Sequence, residues 1–150
     1  MAIHFTKEEF TERKSKTIQE LKKQGLDALL IFRQESMYWL TGYDTMGFVF
    51  FQCLILTTKG DVVLLTRAPD LRQAQNTSII DDIRIWIDKD KSNPTNELKN
   101  ILLELGLEKS NLGVEYEAYG LTGRNAIKLN NSLKNFATLH DKSELISYFR

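Results

Sequence analysis

The sequence has few of the residues that build common catalytic and metal sites. Among its 150 residues there are one cysteine, two histidines and two prolines. A single cysteine cannot form an internal disulfide, which favours the cytoplasm as the compartment. Cys53 lies in an apolar run, so we expect a small buried side chain and not a reactive thiol. His4 and His140 lack a second ligand at the spacing of a metal site, so we predict no metal ligand in this chain.

The sequence also lacks an excess of charge and a long apolar run. Twenty basic side chains balance twenty acidic ones, which gives no electrostatic reason to expect nucleic acid or an anionic membrane as a partner. The longest apolar run, residues 48–56, is shorter than the roughly 18 residues of a membrane-spanning helix. Charged residues at positions 7–9 argue against a signal peptide. The composition, with 42% hydrophobic and 27% charged residues, is that of a soluble globular domain.

Motifs for a nucleophile or a phosphate are missing as well. The sequence contains no Gly-x-Ser-x-Gly, and Gly120 with Gly123 is a weak signal for a phosphate loop. Acidic residues at Asp81-Asp82 and at positions 88 and 90 flank a predicted strand, where a solvated loop is more typical than an acid–base pair. We therefore predict no catalytic residue and no complete active site in this chain.

Hydrophobic periodicity predicts alternating helices and strands, and hence an α/β fold with a mixed β-sheet and helices on its faces. A capping box at Thr6 and Glu9 begins the first helix, and Gly25 ends it. The other predicted helices cover residues 36–43, 70–75, 94–105 and 122–133, with a last one that begins at Asp141 or Ser143. The predicted strands cover residues 28–32, 47–56, 62–65, 83–87, 112–116 and 136–139.

The stretch from Ser36 to Leu56 has the strongest functional signal. An aromatic segment ends at Gly42, and Tyr43 and Asp44 follow in a loop before a long apolar strand. Loops that rigid strands carry are common places for binding groups. Tyr43 and Asp44 either line a cleft or belong to a loop whose tyrosine packs on the sheet.

Other residues leave two interpretations open. Arg67 and Arg72 flank Pro69 and either hold a carboxylate together or pair with Asp70 and solvent. Trp39 and Trp86 belong either to the core or a subunit interface, where tryptophan is enriched, or to a substrate platform. In the strand at residues 83–87, three isoleucines alternate with Arg84 and Trp86, so we expect the isoleucine face to be buried.

Taken in order, these segments resemble the N-terminal domain of the creatinase, prolidase and aminopeptidase P family. The likeness covers nearly the whole chain, and its motifs are Gly25-Leu26-Asp27-Ala28-Leu29-Leu30-Ile31, Tyr38-Trp39-Leu40-Thr41-Gly42-Tyr43, Gly60, Asp82-Ile83-Arg84-Ile85-Trp86, Leu112-Gly113-Val114-Glu115 and residues 141–150. The resemblance implies a ribonuclease H-like fold for residues 1–150. It also implies a C-terminal metal-binding pita-bread domain outside this chain, where Asp, His and Glu ligands bind two divalent metals (Mn, Co or Zn) that activate water. None of those ligand positions falls in these 150 residues.

The resemblance also implies a role and partners. In this family the domain contributes dimer contacts and closes over the active site, so the implied partners are its own C-terminal domain and a homodimer partner. The substrate of the full-length protein, an Xaa-Pro dipeptidase or aminopeptidase, would be a short proline-containing peptide. Tyr43, Asp44 and Phe48 are then expected in the substrate-pocket wall, and Trp39 and Trp86 at an interface.

Two alternatives follow from the same family. The domain could belong to a creatinase-like or ectoine-hydrolase-like C–N hydrolase, or it could be a non-catalytic binding module. By alignment, Phe48 takes the place of an aromatic residue of creatinase-like members. Phe50 stands where those members have an arginine, which argues against creatine as the substrate.

Overall fold

Helices and strands alternate along residues 3–150, the part of the chain that the computed structural model describes. The α-helices are α1 (Lys7–Lys23), α2 (Gln34–Thr41), α3 (Leu71–Thr77), α4 (Pro94–Glu104) and α5 (Gly123–Leu133). The strands are β1 (Ala28–Ile31), β2 (Cys53–Thr57), β3 (Val62–Arg67), β4 (Asp82–Trp86), β5 (Asn111–Val114) and β6 (Thr138–Asp141). Short 3₁₀ helices cover Ala68–Asp70 and Ile146–Tyr148.

The strands form one six-stranded sheet in the order β4-β3-β2-β1-β5-β6. β2 runs antiparallel to both β1 and β3, and the other neighbouring pairs are parallel. In the centre, Leu30 lies opposite Ile55 of β2 on one side and Val114 of β5 on the other. The predicted mixed sheet with helices on its faces is therefore confirmed.

Two apolar layers enclose the sheet. Successive side chains of a strand point to opposite faces, so Leu30 of β1 joins a core cluster with residues of α4 and α5, such as Leu98 and Leu129. Leu29 joins a second cluster on the other face with residues of α1, α2 and α3. All four residues of β1 are buried, which explains why this strand is a continuous apolar run and not an alternating one.

Local signals fix the ends of the first two helices as predicted. Glu9 N donates to Thr6 Oγ1 at 3.1 Å and Thr6 N donates to Glu9 Oε2 at 2.8 Å, which completes the capping box of α1. Gly42 ends α2 with a φ of 82°, a left-handed conformation that glycine adopts without a steric penalty.

The predicted strand over residues 47–56 is wrong in its first half. β2 begins only at Cys53, and residues 44–52 form a loop. The cause lies on another element: Asp70 accepts a hydrogen bond from Thr45 Oγ1 at 3.0 Å, and Gly47 N donates to that same hydroxyl at 3.0 Å. These contacts hold the chain in a turn although its residues are apolar.

The prediction that the isoleucine face of β4 is buried is also wrong. Ile85 and Ile87 are 43% and 62% exposed, whereas Trp86 is only 6% exposed. β4 lies at the edge of the sheet, and Trp86 reaches inward, where its Nε1 donates to the Phe51 carbonyl at 3.0 Å. The expected interface position of Trp86 is therefore a core position.

The predicted last helix does not begin at Asp141 or Ser143. Asp141 ends β6, and its carboxylate accepts hydrogen bonds from the backbone and the hydroxyl of Ser143. The Ser143 Oγ in turn accepts from Tyr116 N at 3.0 Å and Glu117 N at 3.2 Å. These local bonds compete with helix formation, and only one 3₁₀ turn follows.

Gly42 provides a test of this packing. Both Gly42 and Gly106 have a positive φ (82° and 72°), but a Cβ at Gly42 would lie 2.9 Å from the Thr77 carbonyl oxygen, whereas one at Gly106 would meet nothing within 4 Å. Gly106→Ala should lower the unfolding free energy by about 1 kcal/mol, the cost of the left-handed backbone. Gly42→Ala should cost about 1–3 kcal/mol more because it overpacks the α2–α3 junction. Urea unfolding measures both, and equal losses would contradict this packing.

Candidate functional site

A cleft of about 1050 Å³ opens at the carboxyl ends of β1 and β5. These two parallel strands are neighbours in the sheet, but the chain leaves β1 toward β2 on one side and β5 toward β6 on the other. Such a switch in connection direction leaves a crevice where open α/β sheets commonly bind ligands. We take this cleft as the candidate site.

Aromatic side chains dominate the walls of the cleft. Phe48 and Tyr119 meet edge to face with ring centroids 5.9 Å apart, and Phe5 meets Tyr38 in the same way at 5.6 Å. The remaining lining residues are Phe32, Arg33, Gln34, Glu35, Trp39, Asp44, Glu117, Ala118 and Arg150. The cleft therefore combines an apolar, aromatic wall with exposed acidic groups.

Glu115 organises the chain below the cleft. This fully buried carboxylate accepts hydrogen bonds from Phe32 N at 3.1 Å, Arg33 N at 3.0 Å and Ser36 Oγ at 2.7 Å. These donors belong to the end of β1 and the first turn of α2, so Glu115 at the end of β5 fixes the junction that bears the lining residues. Burial raises the pKa of Glu115 to about 7, against the lowering effect of the three hydrogen bonds.

Arg33 is already occupied by protein groups. Its Nε donates to the Glu117 carbonyl at 2.7 Å and its Nη1 to Ser147 Oγ at 2.9 Å. Ion pairs with Glu144 at 3.6 Å and Glu117 at 4.0 Å complete its surroundings. Arg33 thus ties the C-terminal segment to the rim of the cleft and has little capacity left for a ligand carboxylate.

Tyr43 lies beneath the cleft and not in its wall. Its side chain is fully buried, and its hydroxyl donates to Gln52 Oε1 at 2.8 Å. Gln52 Nε2 donates to Gln34 Oε1 at 3.1 Å, and Gln34 Nε2 donates to the Tyr43 carbonyl at 2.7 Å. Burial raises the pKa of Tyr43. The expected position of Tyr43 in the wall of the cleft is therefore wrong. Tyr43 instead holds Gln34, which lines the cleft, through a buried network of hydrogen bonds.

The loop that presents Phe48 is held on two sides. A Cβ at Gly47 would lie 2.5 Å from an Asp70 carboxylate oxygen, and one at Gly120 would lie 2.5 Å from the Phe50 carbonyl oxygen. Arg67 pairs with Asp70 at 3.0 Å and lies 3.5 Å from the centre of the Phe50 ring. The interpretation in which Arg67 pairs with Asp70 is therefore confirmed.

The structure divides the remaining residues named from the sequence. Asp44 and Phe48 line the cleft, as does Trp39, which stacks on Phe149 with centroids 6.4 Å apart. Arg72 is exposed on α3. Sequence reasoning missed Phe5, Tyr38 and Tyr119 as lining residues and Glu115 as the organising group. A carboxylate inside the apolar run of residues 112–116 is the signal that could have found Glu115, because a buried charge needs partners.

The cleft offers binding groups, and we derive no catalytic step from it. Among residues 3–150, no cluster of three or more His, Cys, Asp or Glu side chains has a metal-binding arrangement. His4 Nδ1 lies 2.5 Å from the Tyr38 hydroxyl, and His140 Nε2 lies 3.1 Å from Asn111 Oδ1. Cys53 is fully buried, and burial raises its pKa well above the ordinary value, so its interpretation as a small apolar side chain is confirmed. The described helices include none with the length and apolarity of a membrane span.

Comparison with known proteins gives a family match over residues 13–150, to the model of the creatinase/prolidase N-terminal domain. A curated relative, the ectoine hydrolase of Halomonas elongata, is 30% identical over 126 residues, which cover 79% of this chain and 32% of that protein. The chain spans about a third of the length of the curated relatives that it matches, 32% and 39% for the two.

Solved structures share the fold over nearly the whole chain. An Xaa-Pro aminopeptidase from Streptococcus pyogenes matches with a TM-score of 0.76 at 19% identity, over 97% of this chain and 100% of that chain. The N-terminal domain of the cytoplasmic peptidase PepQ from Mycobacterium tuberculosis H37Rv matches with a TM-score of 0.68 at 21% identity, over 93% of this chain and 98% of that chain. At these identities the likeness shows the fold.

Glu115 gives this site a measurable pH dependence. Folding raises the pKa of Glu115 from 4.5 to about 7, so between these values the folded chain binds more protons than the unfolded chain. Protonation of Glu115 therefore contributes to the unfolding free energy. This contribution is fully present below about pH 4.5 and is lost as the pH rises through 7. Relative to Glu115→Gln, which does not titrate, the wild type should lose about 3 kcal/mol of unfolding free energy across this range. Denaturant unfolding of both proteins at several pH values measures the difference, and a flat difference would contradict the raised pKa.

Proposed function

The chain belongs to the creatinase/prolidase N-terminal domain family, and from this premise we propose that it is the non-catalytic N-terminal domain of an Xaa-Pro dipeptidase or aminopeptidase. Its role is to close the active site and to take part in dimerisation. The observation that carries the proposal is an aromatic cleft with a fixed wall and, among residues 3–150, no metal-binding cluster. Catalysis then belongs to a C-terminal domain that supplies two divalent metals (Mn, Co or Zn).

The loop beside the cleft supports a closing role. Asp70 and Gly120 hold its backbone from two sides, yet several of its apolar side chains face outward. Met46 is 88% exposed, Val49 49% and Phe50 40%. An exposed apolar rim on a fixed loop suits contact with another protein surface. Placed over an active site, such a rim excludes water and limits the size of the substrate.

The lining of the cleft suits a short peptide. Aromatic faces such as those of Phe48 and Tyr119 can pack against a proline ring and attract a cation. Glu35, Asp44 and Glu117 add negative charge at the edge, where a peptide's ammonium group would be favoured. Arg33 is held by Glu117, Glu144 and Ser147, so it is a poor partner for a peptide's carboxylate.

We also propose a cytoplasmic location. A chain with a single, buried cysteine forms no internal disulfide, and a protein of this fold from Mycobacterium tuberculosis is described as a cytoplasmic peptidase. The partners in this proposal are the C-terminal domain of the same protein, a second copy and the peptide substrate.

The experiment compares this chain with the longer protein that carries it. With Mn²⁺ or Co²⁺, the longer protein should release proline from Xaa-Pro dipeptides, and the 150-residue chain should not. In the longer protein, Phe48→Ala should raise the KM about tenfold through the loss of one aromatic contact and leave the metal content unchanged. Ile127→Ala is the control, because Ile127 is a 63% exposed apolar residue of α5 that belongs neither to this loop nor to the cleft lining.

Three outcomes would count against the proposal. Turnover by the 150-residue chain alone would show that it is catalytic. An unchanged KM in Phe48→Ala would remove Phe48 from the substrate wall. A longer protein without the family's metal ligands would support a non-catalytic binding module instead.

A C–N hydrolase is the second candidate, because the ectoine hydrolase of Halomonas elongata is 30% identical to this chain. Substrate profiling of the longer protein distinguishes the two candidates. The peptidase proposal expects proline release from Xaa-Pro dipeptides and no hydrolysis of ectoine. Hydrolysis of ectoine without proline release would replace the proposed activity, although the closing role of this domain would remain.

A further inference from the structure

The β4 edge of the sheet differs from its other edge. No strand among the described residues lies on the outer side of β4, so the backbone groups there can still pair with another strand. Ile79, Ile85 and Ile87 are 39%, 43% and 62% exposed along and beside β4. At the opposite edge, β6 has polar or charged residues at three of its four positions (Thr138, His140 and Asp141).

β4 lacks the features that usually protect an edge strand. Proteins block such edges with proline, bulges or free charges, lysine above all. The one cation of β4, Arg84, is neutralised within the chain: its Nε lies 2.6 Å from an Asp82 oxygen and its Nη1 lies 3.0 Å from a Glu104 oxygen. The edge therefore offers apolar side chains and pairing backbone groups, its one cation is already paired, and the exposed carboxylates of Asp81 and Asp88 lie just beyond the ends of the strand.

Only an extended chain satisfies both features of this edge, because it supplies backbone hydrogen bonds and alternating side chains together. A second copy of β4 fits by charge. In an antiparallel pair about a two-fold axis through Ile83, Asp82 of each copy faces Arg84 of the other. An axis through Arg84 would instead oppose two arginines, and one through Ile85 would oppose Asp82 and Asp88; like charges directly opposite are destabilising.

We propose that the free edge of β4 pairs antiparallel with β4 of a second copy about a two-fold axis at Ile83, which joins the two sheets into one. In this register Ile83 lies opposite Ile83 and Ile87 opposite Ile79, whereas Ile85 lies opposite Asp81. This surface deepens the dimerisation part of the proposed function. A pair of short strands is a small interface, so we expect reversible association with a Kd of about 1–100 μM.

Cysteine cross-linking of the 150-residue chain tests this register, because the native Cys53 is fully buried and should stay silent. Residues directly opposite in an antiparallel pair have Cα atoms about 4.5–5.5 Å apart, within the range of a disulfide. Ile83→Cys should therefore form a disulfide-linked dimer under mild oxidation. Ile85→Cys is the matched control on the same face: two such residues would lie about 13 Å apart, too far for a disulfide. We expect at least about tenfold faster cross-linking at position 83 because pairing raises the effective concentration.

A second pair of variants covers the case in which Ile83→Cys folds poorly. A mixture of Asp82→Cys and Arg84→Cys chains should cross-link to each other, and neither should cross-link readily to itself. Sedimentation of the wild-type chain should show reversible dimers. A wild-type chain that stays monomeric, or equal cross-linking at positions 83 and 85, would overturn the proposal. Either result would leave the peptidase assays of the longer protein unaffected, so the two proposals fail separately.

Discussion

The buried carboxylate of Glu115 is the contact on which the candidate site depends. It binds two backbone N–H groups and one hydroxyl at the point where β1 passes into α2. Since α2 carries Tyr38 and Trp39, and the junction itself carries Phe32 and Arg33, one carboxylate directly after β5 fixes a large part of the cleft lining. An ionised group at this depth carries a desolvation penalty that its three donors only partly offset, so the bond orients the site at the expense of stability.

The opposite wall depends on close backbone packing. The loop of residues 44–50 lies between the Asp70 carboxylate and Gly120, and at Gly47 and Gly120 there is no space for a side chain. A loop held in this way keeps Phe48 against Tyr119 while other apolar side chains remain exposed. Ordering such groups in advance lowers the entropic cost of a later contact. The architecture is therefore that of a preformed binding wall, which is what the proposed closing role requires.

Local patterns predicted the elements well, because tertiary contacts reinforce the capping box of α1, the continuous apolar run of β1 and the glycine that ends α2. The failures occur where distant groups decide. Residues 47–52 look like a strand, but Asp70, more than twenty positions further on, holds Thr45 and thereby Gly47 in a turn. The alternation in β4 predicted two faces correctly and assigned them wrongly, since a single sequence does not indicate that this strand is an edge. Tyr43 and Glu115 form long-range polar contacts that have no periodic signature.

The cleft and the β4 edge lie at different places on one sheet, and this separation has a consequence. From β1 to β4 there are three strand spacings, or about 14 Å, so pairing at the edge leaves the cleft open. A sheet that continues through two copies would fix the position of one cleft relative to the other. For the proposed role of closing over an active site, such a fixed frame matters because small misplacements of positioning groups reduce rates strongly. The same sheet would then provide both the edge that pairs two copies and the cleft that closes over an active site.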